Sequence, residues 1–157
     1  MNGQKTRKGD RMVSTTCPDR RVIFLGMVMY FLAVCGTALS AILEVPSDYP
    51  DIQTAIDDAN DGDTVLVAPG TYTGDGNRDI DFNGKAITVR SENGPQTCII
   101  ECEASRDDCH RGFYFHNSED ANSVVEGFTI TGGYISGSYA RGGGIYCRNA
   151  SPCIVEC

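Results

Sequence analysis

The sequence predicts an all-β solenoid, a stack of short parallel strands closed at its N-terminal end by one short helix. Three observations predict it. Beyond residue 62 the chain consists of short apolar runs split by turn residues, with no second helix of useful length. The runs recur at intervals of 26 to 32 residues, the range of stacked repeat units. Glycine is abundant, 18 of 157 residues, and tryptophan is absent, which suits many tight turns better than a helical bundle.

Taken in order, residues 1–41 read as an export signal. Six basic residues (Lys5, Arg7, Lys8, Arg11, Arg20, Arg21) precede the apolar region 22–34, and small residues follow from Cys35 to Ala41. Ala38-Leu39-Ser40 offers a cleavage site. Two variants stay open. Counted to Leu43 the apolar run reaches 22 residues, long enough for a membrane anchor. Leu32-Ala33-Val34-Cys35-Gly36 also has the form of a bacterial lipoprotein signal. The expected localisation is secreted or cell-surface.

Residues 42–157 form the expected domain, with seven basic residues against nineteen acidic ones. A body of that charge repels phosphate backbones, which excludes nucleic acid as a partner. It also gives no attraction to an anionic polysaccharide, unless a cation such as Ca²⁺ bridges the two. The domain holds six cysteines, and an even number in an exported chain favours disulfides over free thiols.

A cap helix is expected over about 50–60, with Pro50 in its first turn and Asp51 beside its positive end. Ile52, Ala55, Ile56 and Ala59 recur at spacings of three and four and give one apolar stripe, which lids the open end of the solenoid. Asn60-Asp61-Gly62 ends the helix. Asp63–Val67 reads as a strand and Pro69-Gly70 as a turn. The later runs are Asp79–Phe82, Ala86–Arg90, Cys98–Cys102, Gly112–His116, Ser123–Thr131, Gly144–Cys147 and Cys153–Cys157. Equal spacing aligns Ile99 with Val125 and then Ile154, and Ile87 with Phe113 and then Ile145. The last run reads as a strand with no cap after it. The domain is therefore expected to be truncated at its C-terminus, or to self-associate there.

The segment Val45-Pro46-Ser47-Asp48-Tyr49-Pro50-Asp51-Ile52-Gln53-Thr54-Ala55-Ile56, followed by Asp61-Gly62-Asp63-Thr64-Val65-Leu66-Val67-Ala68-Pro69-Gly70-Thr71-Tyr72, resembles the opening of pectin-lyase-like right-handed parallel β-helix proteins. Lys85–Ser91, Thr97–Ile100 and Gly142–Cys147 leading into Ser151–Cys157 continue the likeness to bacterial secreted proteins of this type. The resemblance implies a right-handed parallel β-helix, secreted or on the cell surface and associated with carbohydrate. It does not carry an activity, because the catalytic aspartates of pectin methylesterases and the arginine motif of pectate lyases have no match here.

The residues that bear chemistry fall into a few groups. Asp79 and Asp81, with Asp75 nearby, share a parity that lets both face outward and hold Ca²⁺, against the plainer reading of a solvated acidic edge. Asp57, Asp58, Asp61 and Asp63 read as structural. Cys98, Cys102, Cys109 and His110 lack the spacing of common zinc sites. Cys98 and Cys102, four apart on one extended strand, are too distant to bridge, which makes Cys102–Cys109 and Cys147–Cys153 the disulfide candidates. His116 shares the parity of Tyr114, opposite Phe113 and Phe115, and belongs on the outer face. Tyr134, Tyr139 and Tyr146 offer a sugar-stacking strip. No catalytic trio is legible. The expected function is a non-catalytic surface or adhesion module that meets polysaccharide or a cell-surface protein, with no cofactor unless Ca²⁺ binds. The alternative is the N-terminal part of a polysaccharide lyase, pectinesterase or glycoside hydrolase with catalytic coils beyond residue 157.

Overall fold

Alternation of β-branched and polar residues gives the described chain short extended segments, which left-handed turn residues cut into strands of three or four. The computed structural model describes residues 39–137 and 140–157. The basic and apolar segments of the expected export signal, and Tyr139, lie outside them. The strands are β1 (Ile42–Val45), β2 (Thr64–Val67), β3 (Gly70–Tyr72), β4 (Thr88–Ser91), β5 (Cys98–Glu101), β6 (Phe113–Phe115), β7 (Val124–Glu126), β8 (Thr129–Thr131), β9 (Ile145–Cys147) and β10 (Cys153–Val155). One α-helix, α1 (Ile52–Asp58), separates β1 from β2, and a 3₁₀ turn covers Asp75–Asn77.

All three sheets are parallel. Their orders are β1-β2-β4-β7-β10, β3-β5-β8 and β6-β9. No two neighbours in a sheet follow each other in sequence except β1 and β2, so the chain visits the sheets in turn and returns to each one strand further along. Among the described residues this is a solenoid-like, mostly β architecture with one α-helix. Its core is built by every second residue: Leu43 and Val45, Val65 and Val67, Val89, and Val125 lie one above another inside the first sheet. Phe82, Phe113, Phe115 and Phe128 fill the interior behind them, with Phe82 and Phe115 centroids 4.9 Å apart. Full burial of each such side chain stabilises by roughly 1.5–3 kcal/mol, before the ordering entropy that opposes it.

The cap helix is observed, with a shifted start. Asp51 is the N-cap and not a first-turn residue: its backbone is extended and its carboxylate accepts from Thr54 N at 2.8 Å. Asn77 Oδ1 takes a second helix donor, Ile52 N, at 3.1 Å. At the other end the Lys85 ammonium donates to the carbonyls of Ile56 and Asp57, each at 2.7 Å, giving Asp57 a donor and Ile56 a second one beside the Ala59 N–H. Ile52, Ala55, Ile56 and Ala59 are buried as the stripe requires.

Other expectations need correction. Pro69 bends the chain between β2 and β3 as expected, but Gly70 is already the first residue of strand β3. Asp79–Phe82 makes only one bridge, Ile80 to Phe113, because Asp79 and Asn83 on either side take positive φ angles of 49° and 55°. Ser123–Thr131 is two strands, broken where Gly127 turns the corner at φ 76° and sends β7 and β8 into different sheets. Of the expected alignments, Val125 with Ile154 and Phe113 with Ile145 are the observed registers. Ile99 instead pairs with Thr129, and Val125 with Val89. The reason is unequal coil length. Successive inward residues Leu43, Val65, Val89, Val125 and Ile154 are 22, 24, 36 and 29 positions apart.

Candidate functional site

The pair β6/β9 has one side in the core and the other toward solvent. Phe113 and Phe115 are fully buried, and Tyr114 and His116, of the opposite parity, lie on the outer side. Parallel register sets Tyr114 beside Tyr146, and the two rings stack with centroids 5.4 Å apart and planes 8° from parallel. His116 stacks on Tyr114 at 4.1 Å and 12°. The Arg111 guanidinium sits 4.8 Å from the Tyr114 centroid and 5.0 Å from that of Tyr146, an attraction between cation and ring quadrupole. Its Nη1 is buried without a hydrogen-bond partner among the described residues, a cost that the two rings offset. Because the rings face one another, the ladder turns its edges outward. Neither phenol hydroxyl has a hydrogen-bond partner among the described residues.

Beside the ladder runs an open groove of about 480 Å³, lined by Gln53, Asp75, Arg78, Asp79, Asp81 and His110. The Asp79 carboxylate accepts from Arg111 N at 3.0 Å, and its other oxygen lies 2.6 Å from His110 Nδ1. His110 Nε2 is 3.0 Å from Asp108 Oδ1, so two segments of the chain grip one imidazole. Arg78 pairs with Asp75 at 2.6 Å and donates to the Cys102 carbonyl at 3.3 Å. The Asp75 carboxylate holds that guanidinium above its ordinary pKa. Asp81 accepts from Asn83 N at 2.8 Å and from the Asn117 amide at 3.1 Å. Its contact with His116 at 3.7 Å joins the groove to the ladder. Gln53 fastens the groove to the cap helix by bonding both backbone groups of Asp81, at 2.9 and 3.0 Å.

No protein-family model, curated protein or solved structure matches this chain. The chemistry is therefore read from the residues alone. His110 is spent on two carboxylates, and no hydroxyl or thiol nucleophile bonds to it among the described residues. What the arrangement offers is a fixed set of acceptors and phenol hydroxyls on a rigid sheet, which is hydrogen-bonding chemistry.

The sequence-predicted residues are placed as follows. Asp79 and Asp81 both border the groove, with their oxygens engaged by His110, Arg111, Asn83 and Asn117. Among the described residues no group of three or more His, Cys, Asp or Glu side chains is set to hold a metal ion, the Cys98/Cys102/Cys109/His110 set included. Cys98 and Cys102 lie in the core, where burial pushes their thiols up to about 12 and about 11; Glu101 and Asp79 add to the second. Cys109 is on the surface loop, 3.2 Å from the Ser136 hydroxyl. Cys147 and Cys153 fall in different sheets, on β9 and β10. All six thiols are free in this structure. Asp57, Asp58, Asp61 and Asp63 each bond their own surroundings, Asp63 through the backbone of Ala41 and Asn60 at 2.7 and 2.8 Å. Tyr134 bridges to His110 and stacks on neither ring, so of the expected strip Tyr146 alone takes part among the described residues. Tyr114, Arg111 and Asp108 were missed as site residues. The signal for Tyr114 was present in its parity with His116 and its 32-residue offset from Tyr146. For Arg111 and Asp108, which sit in a loop, no signal existed.

Proposed function

We propose that the chain is a right-handed parallel β-helix that serves as a secreted or cell-surface module and binds carbohydrate without cleaving it. The observation that carries this reading is the outward face of β6/β9, where Tyr114, Tyr146 and His116 stand in register beside a groove edged by carboxylates. Sugars present many hydroxyls and few charges. A preformed surface with unpartnered phenol hydroxyls and carboxylate acceptors meets that chemistry at small ordering cost. The basic and apolar leader supports export.

The test is binding of the full chain to a panel of plant and microbial polysaccharides. Tyr114→Ala is expected to weaken retention by about tenfold or more, as for an aromatic anchor, with an unchanged circular dichroism spectrum. No retention on any glycan, or release of unsaturated or reducing ends from pectin, overturns the reading.

A further inference from the structure

We infer that this face selects uncharged glycan chains and turns polyuronates away. The inference rests on the carbohydrate-binding reading above and adds the ligand class. Three carboxylates, Asp75, Asp79 and Asp81, line the groove, and Asp108 adjoins it through His110. Asp75 and Asp108 are the outermost, with side chains 92% and 66% exposed. Gripping a uronate carboxyl would require a free cation, preferably an arginine presenting its forked donors. Both arginines at hand are already committed. Arg78, only 15% exposed, is tied to Asp75 and to the Cys102 carbonyl. Arg111, 16% exposed, lies against the Tyr114 and Tyr146 rings with its Nη1 buried. His110 is held between two of the carboxylates.

Asp75 and Asp79 therefore face solvent, and neither Arg78 nor Arg111 presents a free fork to receive an acid. To a neutral sugar they are acceptors for hydroxyl hydrogens. To a polyuronate they are like charges at close range, and the acidic body behind them adds to the repulsion at low ionic strength.

The experiment compares the full chain with cellohexaose and with a galacturonate hexamer by calorimetry, at low and high salt, with calcium present and with chelator. The expected result is binding of the neutral oligomer at least about tenfold tighter than the uronate at low salt, with the gap narrowing as salt screens the charges. The exposed pair Asp75→Asn with Asp108→Asn should raise the affinity for the uronate at low salt and so narrow the gap. Equal or tighter uronate binding in chelator overturns the selectivity while leaving carbohydrate binding intact. Failure of both oligomers and of every polysaccharide in the panel overturns both.

Discussion

At the scale of single residues, Asp63 shows how a buried carboxylate ties the chain together. Its side chain accepts from the Ala41 and Asn60 backbones, and these bonds hold its pKa below the usual carboxylate range. A depressed native pKa contributes stability that is fully present above the unfolded value of about 3.9 and fades as pH falls through the native value. Asp63→Asn is expected to lower the melting temperature at neutral pH and to flatten the acid limb of the curve. Thermal melts of both proteins across the acid range decide it, and parallel acid limbs would refute the assignment. Asp57, Asp58, Asp61 and Asp63 were legible as structural because they sit on or just after an amphipathic helix with no ligand spacing. The partners of Asp79 were not legible. They come from a loop 31 positions away, whose path depends on coil length rather than on any local pattern.

At the scale of elements, the helix and the turn at residues 75–77 act as one unit. Asp51 caps the helix, Asn77 adds a second N-terminal acceptor, and Lys85 closes the far end. Gly76 has no room for a side chain, since a Cβ there would fall on the Asp51 carboxyl. Asp51→Ala is expected to cost about 1 kcal/mol, and Gly76→Ala to cost a similar amount by displacing the same cap. If the two effects share that cause, the double variant loses much less than their sum in a denaturant titration; full additivity would separate them. The helix was legible because its stripe has a period the sequence displays. Strand registers were legible only in part. Val125 over Ile154 and Phe113 over Ile145 followed from spacing, whereas the coil from Val89 to Val125 carries the long 102–112 excursion and broke the regular interval. Strand β3 was hidden because a proline-glycine pair reads as a turn wherever it stands, and here Gly70 begins a parallel ladder with Cys98.

At the scale of the whole molecule, parallel stacking solves the burial problem in one direction and leaves it open in another. Among the described residues β10, β8 and β9 are each paired on one side only, and Ile154 on β10 is 43% exposed. Such edges carry unpaired backbone groups and invite another strand. The net charge of −8 opposes that encounter through long-range repulsion, so the two effects compete and ionic strength sets the balance. At low salt the repulsion keeps chains apart. As salt rises the repulsion is screened, while edge pairing and burial of Ile154 are not. Association of the chain is therefore expected to grow with both concentration and salt, the reverse of a contact held by opposite charges. Ile154→Lys places a charge on the open edge, the device by which natural edge strands avoid pairing, and should restore the monomer at high salt without lowering the melting temperature. Sedimentation velocity at two salt concentrations reads this directly. A wild-type chain that stays monomeric at high salt would mean that the open edges are too short to pair. An Ile154→Lys chain that still associates would move the contact away from β10.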